Sequence, residues 1–239
     1  MKKVTGIGGV FFKSNDVTKL NEWYGKYLGF QITQWGASMT WGDIDPTNQY
    51  PCATAWSTFK SDSNYFDPST LPYMINYRVH DLKTLIDTLR TDGVTIAGGI
   101  DEYEYGKFAW IVDPEGRKIE LWEPIDSGFG EPAPPWTEKV TGLAGIFLKS
   151  ENPQAMKEWY KKHLDVAENF KLIDLPSGKE TYITWAVLAA DNKMFSETGK
   201  PFIYSYRVKD LESLKVELNM NENWILDPEG NKVVLVQRT

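Results

Sequence analysis

The first apolar positions of the chain predict a strand followed by a helix. The run 7–13 is apolar and lies between glycines, which is typical of a short strand. Asn15 or Asp16 can cap the helix that follows, and Gly29 can end it. Apolar residues recur in this helix at the spacing of one buried face, at Val17, Leu20, Tyr24, Tyr27 and Leu28.

The same alternation returns further along the chain. Residues 74–79 read as a strand, and residues 81–91 as a helix with its apolar residues on one face. Two more strands, 108–112 and 118–122, are joined by Asp113-Pro114-Glu115-Gly116, whose proline and glycine positions predict a type I turn. A short run at 53–59 predicts another strand. The pattern is therefore strand, helix and then several strands, twice.

An internal repeat divides the chain into two related parts. Glu22-Trp23-Tyr24 returns as Glu158-Trp159-Tyr160, and the segment 110–116 returns at 224–230. Between Leu82 and Trp110 there are 27 residues, but only 12 lie between the matching Leu211 and Trp224. The second copy is therefore shorter, by about one strand with its loops. We predict domain 1 at 1–124, a proline-containing linker at 125–137 and a shortened domain 2 at 138–239.

Composition narrows the classes of partner. The net charge of −7 and the lack of a Lys/Arg block argue against nucleic acid or an anionic membrane as partner. No apolar run approaches the roughly 18 residues of a membrane span, and no secretory apolar stretch follows the basic start. We therefore expect a cytoplasmic protein with a small-molecule ligand. The single cysteine, Cys52, is expected to be a small buried residue.

The segments DPEGRKIELWEP at 113–124 and GGVFFKS at 8–14 resemble the vicinal oxygen chelate superfamily, which includes glyoxalase I, bleomycin-resistance proteins and extradiol dioxygenases. The resemblance spans nearly the whole chain. It implies an α+β fold of paired βαβββ modules with curved mixed sheets, arranged as two tandem glyoxalase-like domains. It also implies that the modules enclose a cavity.

The resemblance further indicates where a metal would be held in metal-binding relatives. The matching positions in this chain are Gly9, Met74 and Glu120 in the first copy and Gly145, Ile203 and Val234 in the second. Only Glu120 offers a ligand atom that a divalent ion prefers. The two histidines, His80 and His163, are expected on the surface or in packing. We therefore predict no metal and no other cofactor.

Strand alternation predicts which side chains face the cavity. If Gly9 faces it, then Phe11 on the same strand, Asn76 on the fifth strand and Glu120 with Trp122 on the last strand also face it. Lys13, Arg78 and Lys118 share this face but recur in the second copy, so we expect them to serve the fold. Trp56 and Trp110 are expected walls, with Phe108 as an alternative to Trp110. The predicted ligand-binding set is Phe11, Trp56, Asn76, Trp110, Glu120 and Trp122.

Two local interpretations remain open. Glu120, the only candidate for a catalytic residue, either pairs with Arg78 or Lys118 or acts on a ligand as a contact or general base. The acidic aromatic stretch 101–106 is either a cavity lip or a solvated edge.

Three functions follow. The preferred hypothesis is metal-free binding of a small, partly aromatic molecule in domain 1. The alternatives are a glyoxalase-like lyase or dioxygenase, with a metal held by Glu120 and by Asp43, Asp45 or His80, and an interaction module without a small-molecule site. Tandem domains allow a monomer, and a homodimer is also possible.

Overall fold

A computed structural model describes residues 3–44, 51–125, 139–166, 169–175 and 177–237. We call residues 3–125 the first repeat and residues 139–237 the second repeat. The predicted linker lies almost wholly outside the described residues. No helix in the described ranges is both long enough and apolar enough to cross a membrane.

Both repeats contain two helices and a mixed sheet. The first repeat consists of β1 (Val4–Ser14), α1 (Val17–Leu28), β2 (Ala37–Trp41), β3 (Cys52–Lys60), β4 (Tyr73–Val79), α2 (Leu82–Thr91), β5 (Thr95–Tyr103), β6 (Gly106–Val112) and β7 (Lys118–Pro124). The second repeat consists of β8 (Val140–Ser150), α3 (Pro153–Leu164), β9 (Asn169–Asp174), β10 (Lys179–Ala189), β11 (Phe202–Val208), α4 (Leu211–Glu217), β12 (Trp224–Leu226) and β13 (Lys232–Val236). A 3-10 turn follows β3 at Asn64–Phe66 and β10 at Lys193–Phe195.

The two helices of the first repeat lie where the sequence predicts them, and α3 has a similar cap. Asp16 caps α1 by accepting a hydrogen bond from the backbone N–H of Lys19, and Gly29 ends it in the left-handed conformation with φ of 75°. Asn152 caps α3 in the same way, with Pro153 in the first turn. Asp81, predicted as the first residue of α2, is its N-cap. Apart from β2 and the bounds of β5, which the sequence pattern does not predict, the elements of the first repeat therefore follow from local signals.

The two sheets have the same strand order except at one edge. Within the described part of the chain, the first sheet runs β2-β3-β1-β4-β7-β6-β5 and the second runs β9-β10-β8-β11-β13-β12. Strand β5 has no counterpart in the second sheet, which explains the missing residues between α4 and β12. The predicted α+β fold of two tandem glyoxalase-like units, the second shortened, is confirmed.

One continuous core holds the repeats together. It contains the apolar faces of all four helices and one face of each sheet. Phe12 of the first repeat packs against Phe202 and Tyr204 of the second. The indole N–H of Trp56 donates to the hydroxyl of Tyr206. Gly42 and Ile173 add a backbone bridge between the sheets, with N–H to O distances of 2.8 and 2.7 Å. Because this core takes one face of the first sheet, the opposite face is left for a cavity.

The Asp-Pro-Glu-Gly segments form the predicted turns. In the first repeat the backbone N–H of Gly116 donates to the carbonyl of Asp113 at 2.9 Å, and Gly116 has φ of 79°. In the second repeat the matching bond joins Gly230 to Asp227, also at 2.9 Å. Each turn connects two antiparallel strands, β6 with β7 and β12 with β13.

Candidate ligand-binding site

A cavity of about 460 Å³ lies on the free face of the first sheet. Strands β1, β3, β4, β6 and β7 form its floor and walls, and β5 and the turn after it form one side. Aromatic side chains dominate the lining, with a few polar groups between them. The lining residues are Gly8, Phe11, Trp35, Ser38, Ala53, Ala55, Ser57, Phe59, Tyr65, Asn76, Asp101, Tyr103, Tyr105, Phe108, Trp110, Glu120 and Trp122.

Five of the six predicted site residues line this cavity. They are Phe11, Asn76, Trp110, Glu120 and Trp122. Strand pairing places them side by side, because β4 lies between β1 and β7 and the register pairs Asn76 with Glu120. Phe108 also lines the cavity, so the two aromatic alternatives on β6 are both present.

The prediction that Trp56 forms a cavity wall is wrong. Trp56 is fully buried and packs on the opposite face of the sheet, where its indole N–H donates to the hydroxyl of Tyr206 at 2.9 Å. The reason is the register of β3, which pairs Trp56 with the core residue Val10. Its neighbours Ala55 and Ser57 face the cavity instead.

Glu120 stands at the inner end of the cavity and is only 1% exposed. Its carboxylate accepts hydrogen bonds from three neutral donors: the hydroxyl of Tyr65, the amide of Asn76 at 2.6 Å and the indole of Trp110 at 2.7 Å. Burial raises the pKa of Glu120, although these hydrogen bonds oppose the rise. The site thus holds a carboxyl group in a mostly apolar setting without a direct cationic partner.

The alternative that Glu120 pairs with Arg78 is wrong, because Arg78 pairs with Asp43 at 3.3 Å. Lys118 donates to the backbone carbonyl of Tyr65 at 2.7 Å and lies 5.2 Å from the centre of the Trp110 ring. The ammonium of Lys118 therefore supports the wall behind Glu120 and does not itself line the cavity.

The three recurrent cations keep the same contacts in both repeats. Arg207 pairs with Asp174 at 3.4 Å, as Arg78 does with Asp43. Lys232 lies over Trp224, as Lys118 does over Trp110. The remaining pair is Lys13 over Phe66 and Lys149 over Phe195. These matched contacts agree with the prediction that the cations serve the shared fold.

Asn76 carries an acceptor without a donor. Its amide N–H binds Glu120, but its Oδ1 atom has no hydrogen-bond partner among the described residues, and the residue is only 2% exposed. A Cβ atom at Gly8 would overlap this Oδ1 and would lie 2.9 Å from the Trp122 ring. Glycine at position 8 therefore makes the room in which the Asn76 amide lies.

Residues 101–106 form both the solvated edge of the sheet and the lip of the cavity, the two alternatives that the sequence left open. Strand β5 is the exposed edge of the sheet, yet Asp101, Tyr103 and Tyr105 also line the cavity. The rings of Tyr103 and Tyr105 stack with centroids 5.4 Å apart and are 49% and 38% exposed. The strand that the second repeat lacks therefore forms the lip of the cavity.

Sequence reasoning missed Phe59 and Tyr65. Their rings stack with centroids 5.1 Å apart, and Tyr65 lies on the 3-10 turn after β3. The repeat alignment held a usable signal, because Tyr65 matches Met194 at the same offset of 129 residues that relates the two Tyr-Arg-Val segments. A polar residue present in one copy only is the same kind of difference that singled out Glu120.

The first-repeat residues at the metal positions that the sequence resemblance implies do not fit a metal ion. The position above Gly9 is taken by the Phe11 ring and Asn76, and Met74 is buried with Phe11 and Phe66. Both oxygens of Glu120 are engaged by protein donors. Within the described ranges no group of three or more His, Cys, Asp or Glu side chains could hold a metal.

The other metal ligands considered do not join Glu120. Asp43 pairs with Arg78, and His80 is exposed at the end of β4 and does not line the cavity. Asp45 lies outside the described residues.

Comparison with known proteins finds likeness in structure only. No protein-family model and no curated protein matches the sequence. The Mn(II)-bound glyoxalase from Novosphingobium aromaticivorans is similar over 99% of this chain and 83% of its own, with a TM-score of 0.67 and 13% identity. Homoprotocatechuate 2,3-dioxygenase from Arthrobacter globiformis is similar over 99% and 80%, with a TM-score of 0.65 and 12% identity.

A third solved structure is similar along nearly its whole length. The 2,3-dioxygenase LapB from Pseudomonas sp. KL28 covers 100% of this chain and 93% of its own, with a TM-score of 0.62 and 14% identity. Structural similarity at identities this low establishes the fold only. The chemistry of the site has to be argued from the residues of this chain. The chain has the fold that these glyoxalase and dioxygenase structures share, as the sequence resemblance predicted.

Proposed function

We propose that this protein binds a small, planar, partly aromatic molecule in the cavity of the first repeat, without a metal ion. The observation that carries the proposal is the combination of aromatic walls with a buried polar group at the inner end. Cavities of this kind bind small molecules through apolar contact and a few directional bonds. The volume of about 460 Å³ lies within the range of roughly 300–1,000 Å³ that is typical of small-molecule sites.

The difference between the repeats supports this assignment. Four positions that line the cavity in the first repeat carry smaller or less polar residues at the matching places in the second: Ser205 for Asn76, Val234 for Glu120, Val236 for Trp122 and Met194 for Tyr65. The second repeat also lacks the strand that forms the lip. The set needed for ligand contact is therefore concentrated in one repeat, and the other contributes the shared core.

The remaining two hypotheses have less support. The glyoxalase and dioxygenases of similar fold are enzymes, but the described residues of this chain include no group of three or more His, Cys, Asp or Glu side chains that could hold a metal ion with Glu120. An interaction module without a ligand gives no reason for a carboxyl group that faces a cavity from a buried position, because burial of that group is costly and raises its pKa.

The test is a thermal-shift screen of uncharged and charged bicyclic and tricyclic aromatic compounds on the full chain. We expect some compounds to raise the melting temperature of the wild type. Trp110→Phe should reduce that rise, because it removes a wall contact and a donor to Glu120. The matched control is Trp224→Phe, which changes the corresponding residue of the second repeat and should leave the rise unchanged.

Two outcomes would contradict the proposal. One is a screen in which no compound stabilises the protein. The other is near one metal per chain by elemental analysis after Mn²⁺, Fe²⁺, Ni²⁺ or Zn²⁺ loading, with loss of that metal in Glu120→Ala.

A further inference from the structure

The charges that line the cavity all have one sign. Its acidic side chains are Glu120 at the inner end and Asp101 at the mouth, and the lining in the described part of the chain includes no Lys, Arg or His. The nearby cations are committed elsewhere: Arg78 to Asp43, and Lys118 to the Tyr65 carbonyl behind the wall. Lys118 offsets part of the charge of Glu120 from behind the wall, but a ligand that enters meets two acidic side chains and no cation in the described lining.

The inner end is also rich in hydrogen-bond acceptors and poor in donors. The hydroxyl of Tyr65, the amide N–H of Asn76 and the indole N–H of Trp110 all point to the Glu120 carboxylate. The indole N–H of Trp122 donates to the backbone carbonyl of Tyr105 at 3.2 Å. The Oδ1 atom of Asn76 has no donor among the described residues. A carboxylate can accept more than three bonds, so Glu120 and Asn76 together leave acceptor capacity for a ligand.

The walls constrain the shape of the ligand. Phe108 and Trp122 lie nearly parallel, with centroids 6.0 Å apart and an interplanar angle of 11°. Tyr103 and Tyr105 present exposed rings at the lip, close to Asp101 on the same strand. Aromatic faces attract planar rings, and their negative faces favour a neutral or positively charged ring over an anionic one.

Resting on the proposed function, we propose that the ligand is a planar aromatic molecule that bears an N–H or O–H donor and no negative charge, with the donor directed to the acceptors of Glu120 and Asn76. An anionic ring would place like charge beside a buried carboxyl group, where the low dielectric makes repulsion strong. A ring without a donor would leave the acceptors unsatisfied after displacing any water that serves them.

The experiment compares four probes of one ring system: 2-naphthylmethylamine, 2-naphthalenemethanol, 2-(methoxymethyl)naphthalene and 2-naphthoate. Dissociation constants for the full chain would be measured by ligand-observed NMR titration at pH 7. We expect the amine and the alcohol to bind at least about tenfold more tightly than the methyl ether and the carboxylate, a ratio that corresponds to one well-made polar interaction.

Variants assign the selectivity to the site. Glu120→Gln should reduce the difference between the dissociation constants of the amine and the carboxylate, because it keeps the side-chain volume and removes the charge. Asp101→Asn should reduce it as well, and its exposed position leaves folding unaffected. Trp224→Phe in the second repeat should leave all four constants unchanged.

The failures of the two proposals are distinguishable. If the carboxylate binds as tightly as the amine, or the ether as tightly as the alcohol, the donor-bearing, non-anionic ligand class is wrong and the binding function stands. If none of the four probes binds, both proposals are contradicted.

Discussion

The hydroxyl of Tyr160 in the second repeat donates a hydrogen bond of 3.1 Å to the carboxylate of Asp113 in the first. The repeat makes the same bond in reverse, from Tyr24 to Asp227, also at 3.1 Å. Their ionic surroundings differ, because Asp113 pairs with Arg117 at 3.0 Å, whereas Asn231 occupies the place of arginine beside Asp227. Two related turns thus connect the repeats. The aspartate of one turn has an arginine as its partner, and the aspartate of the other has a neutral asparagine.

This difference predicts how stability depends on pH. Burial raises the pKa of Asp227 above its ordinary value of 3.8, although hydrogen bonds from Asn231, Glu229 and Tyr24 oppose the rise. The native state therefore binds more protons than the unfolded state, and this contribution to stability is lost as the pH rises through the native pKa. Asp227→Asn should lose less stability between about pH 4 and pH 7 than the wild type does, as measured by urea unfolding at several pH values.

Asp113→Asn is the matched control and should behave differently. It removes one of the two carboxylates that pair with the buried guanidinium of Arg117, which keeps Glu115 at 2.6 Å, and should cost about 1–3 kcal/mol. Equal effects of the two substitutions at every pH would contradict the proposed difference in charge balance.

The turn glutamates predict a second effect on stability. Glu229 reaches across to the first repeat and accepts hydrogen bonds from the Ser14 hydroxyl at 3.0 Å and from the backbone N–H groups of Asn15 and Asp16 at 2.9 Å. Glu229→Ala should lower the free energy of unfolding by about 1–3 kcal/mol, since several donors at the start of α1 lose their acceptor. Chemical denaturation measures the change.

The exposed Glu222 provides the control for this prediction. Glu222→Ala should change the free energy of unfolding by no more than about 0.5 kcal/mol. A loss in Glu229→Ala no greater than that in Glu222→Ala would show that the contact between turn and helix contributes nothing.

Glu120 predicts a contrast between two substitutions. Glu120→Ala should destabilise the protein by about 2–4 kcal/mol, because it opens a void and removes the acceptor of three donors, one of them the buried amide of Asn76. Glu120→Gln keeps the volume, and its carboxamide can bond to Asn76 if the amide of Asn76 rotates to present Oδ1. Its stability should therefore remain close to that of the wild type.

The pH dependence gives this contrast a sign. Because burial raises the pKa of Glu120 above 4.5, the wild type loses stability as the pH rises through the native pKa, and Glu120→Gln lacks that loss. The free energy of unfolding of Glu120→Gln minus that of the wild type, measured with urea, should therefore be larger at pH 8 than at pH 5. A Gln variant as unstable as the Ala variant at both pH values would be inconsistent with a penalised carboxylate.

Gly8 predicts a specific loss of binding. The repeat places Ala144 at the matching position of the second repeat, whereas a Cβ at position 8 would overlap Asn76 Oδ1. Gly8→Ala should displace the Asn76 amide and the Trp122 ring and weaken binding of 2-naphthalenemethanol by about tenfold or more. Ala144→Gly is the reciprocal control and should leave this affinity unchanged in NMR titration. Unaltered affinity in Gly8→Ala would separate Asn76 from the ligand site.

Much of this site could be predicted from the pattern of residues alone. Strand alternation placed Phe11, Asn76, Glu120 and Trp122 on one face because side-chain direction alternates strictly along each strand. Comparing the copies then singled out Glu120, since valine stands in its place at position 234. These are local properties, which neither strand order nor loop path can change.

Contacts between residues that are distant in the sequence could be learned only from the tertiary structure. The sequence by itself determined the repeat, the helices with their caps, the turns and the alternation of faces. Tertiary structure decided the facing of Trp56, because that follows from the register between β3 and β1. It also brought Tyr65 to Glu120, 55 residues away in sequence, and made the exposed edge β5 into the lip of the cavity. Strand register and loop path depend on packing across the whole fold, so local sequence patterns do not predict them.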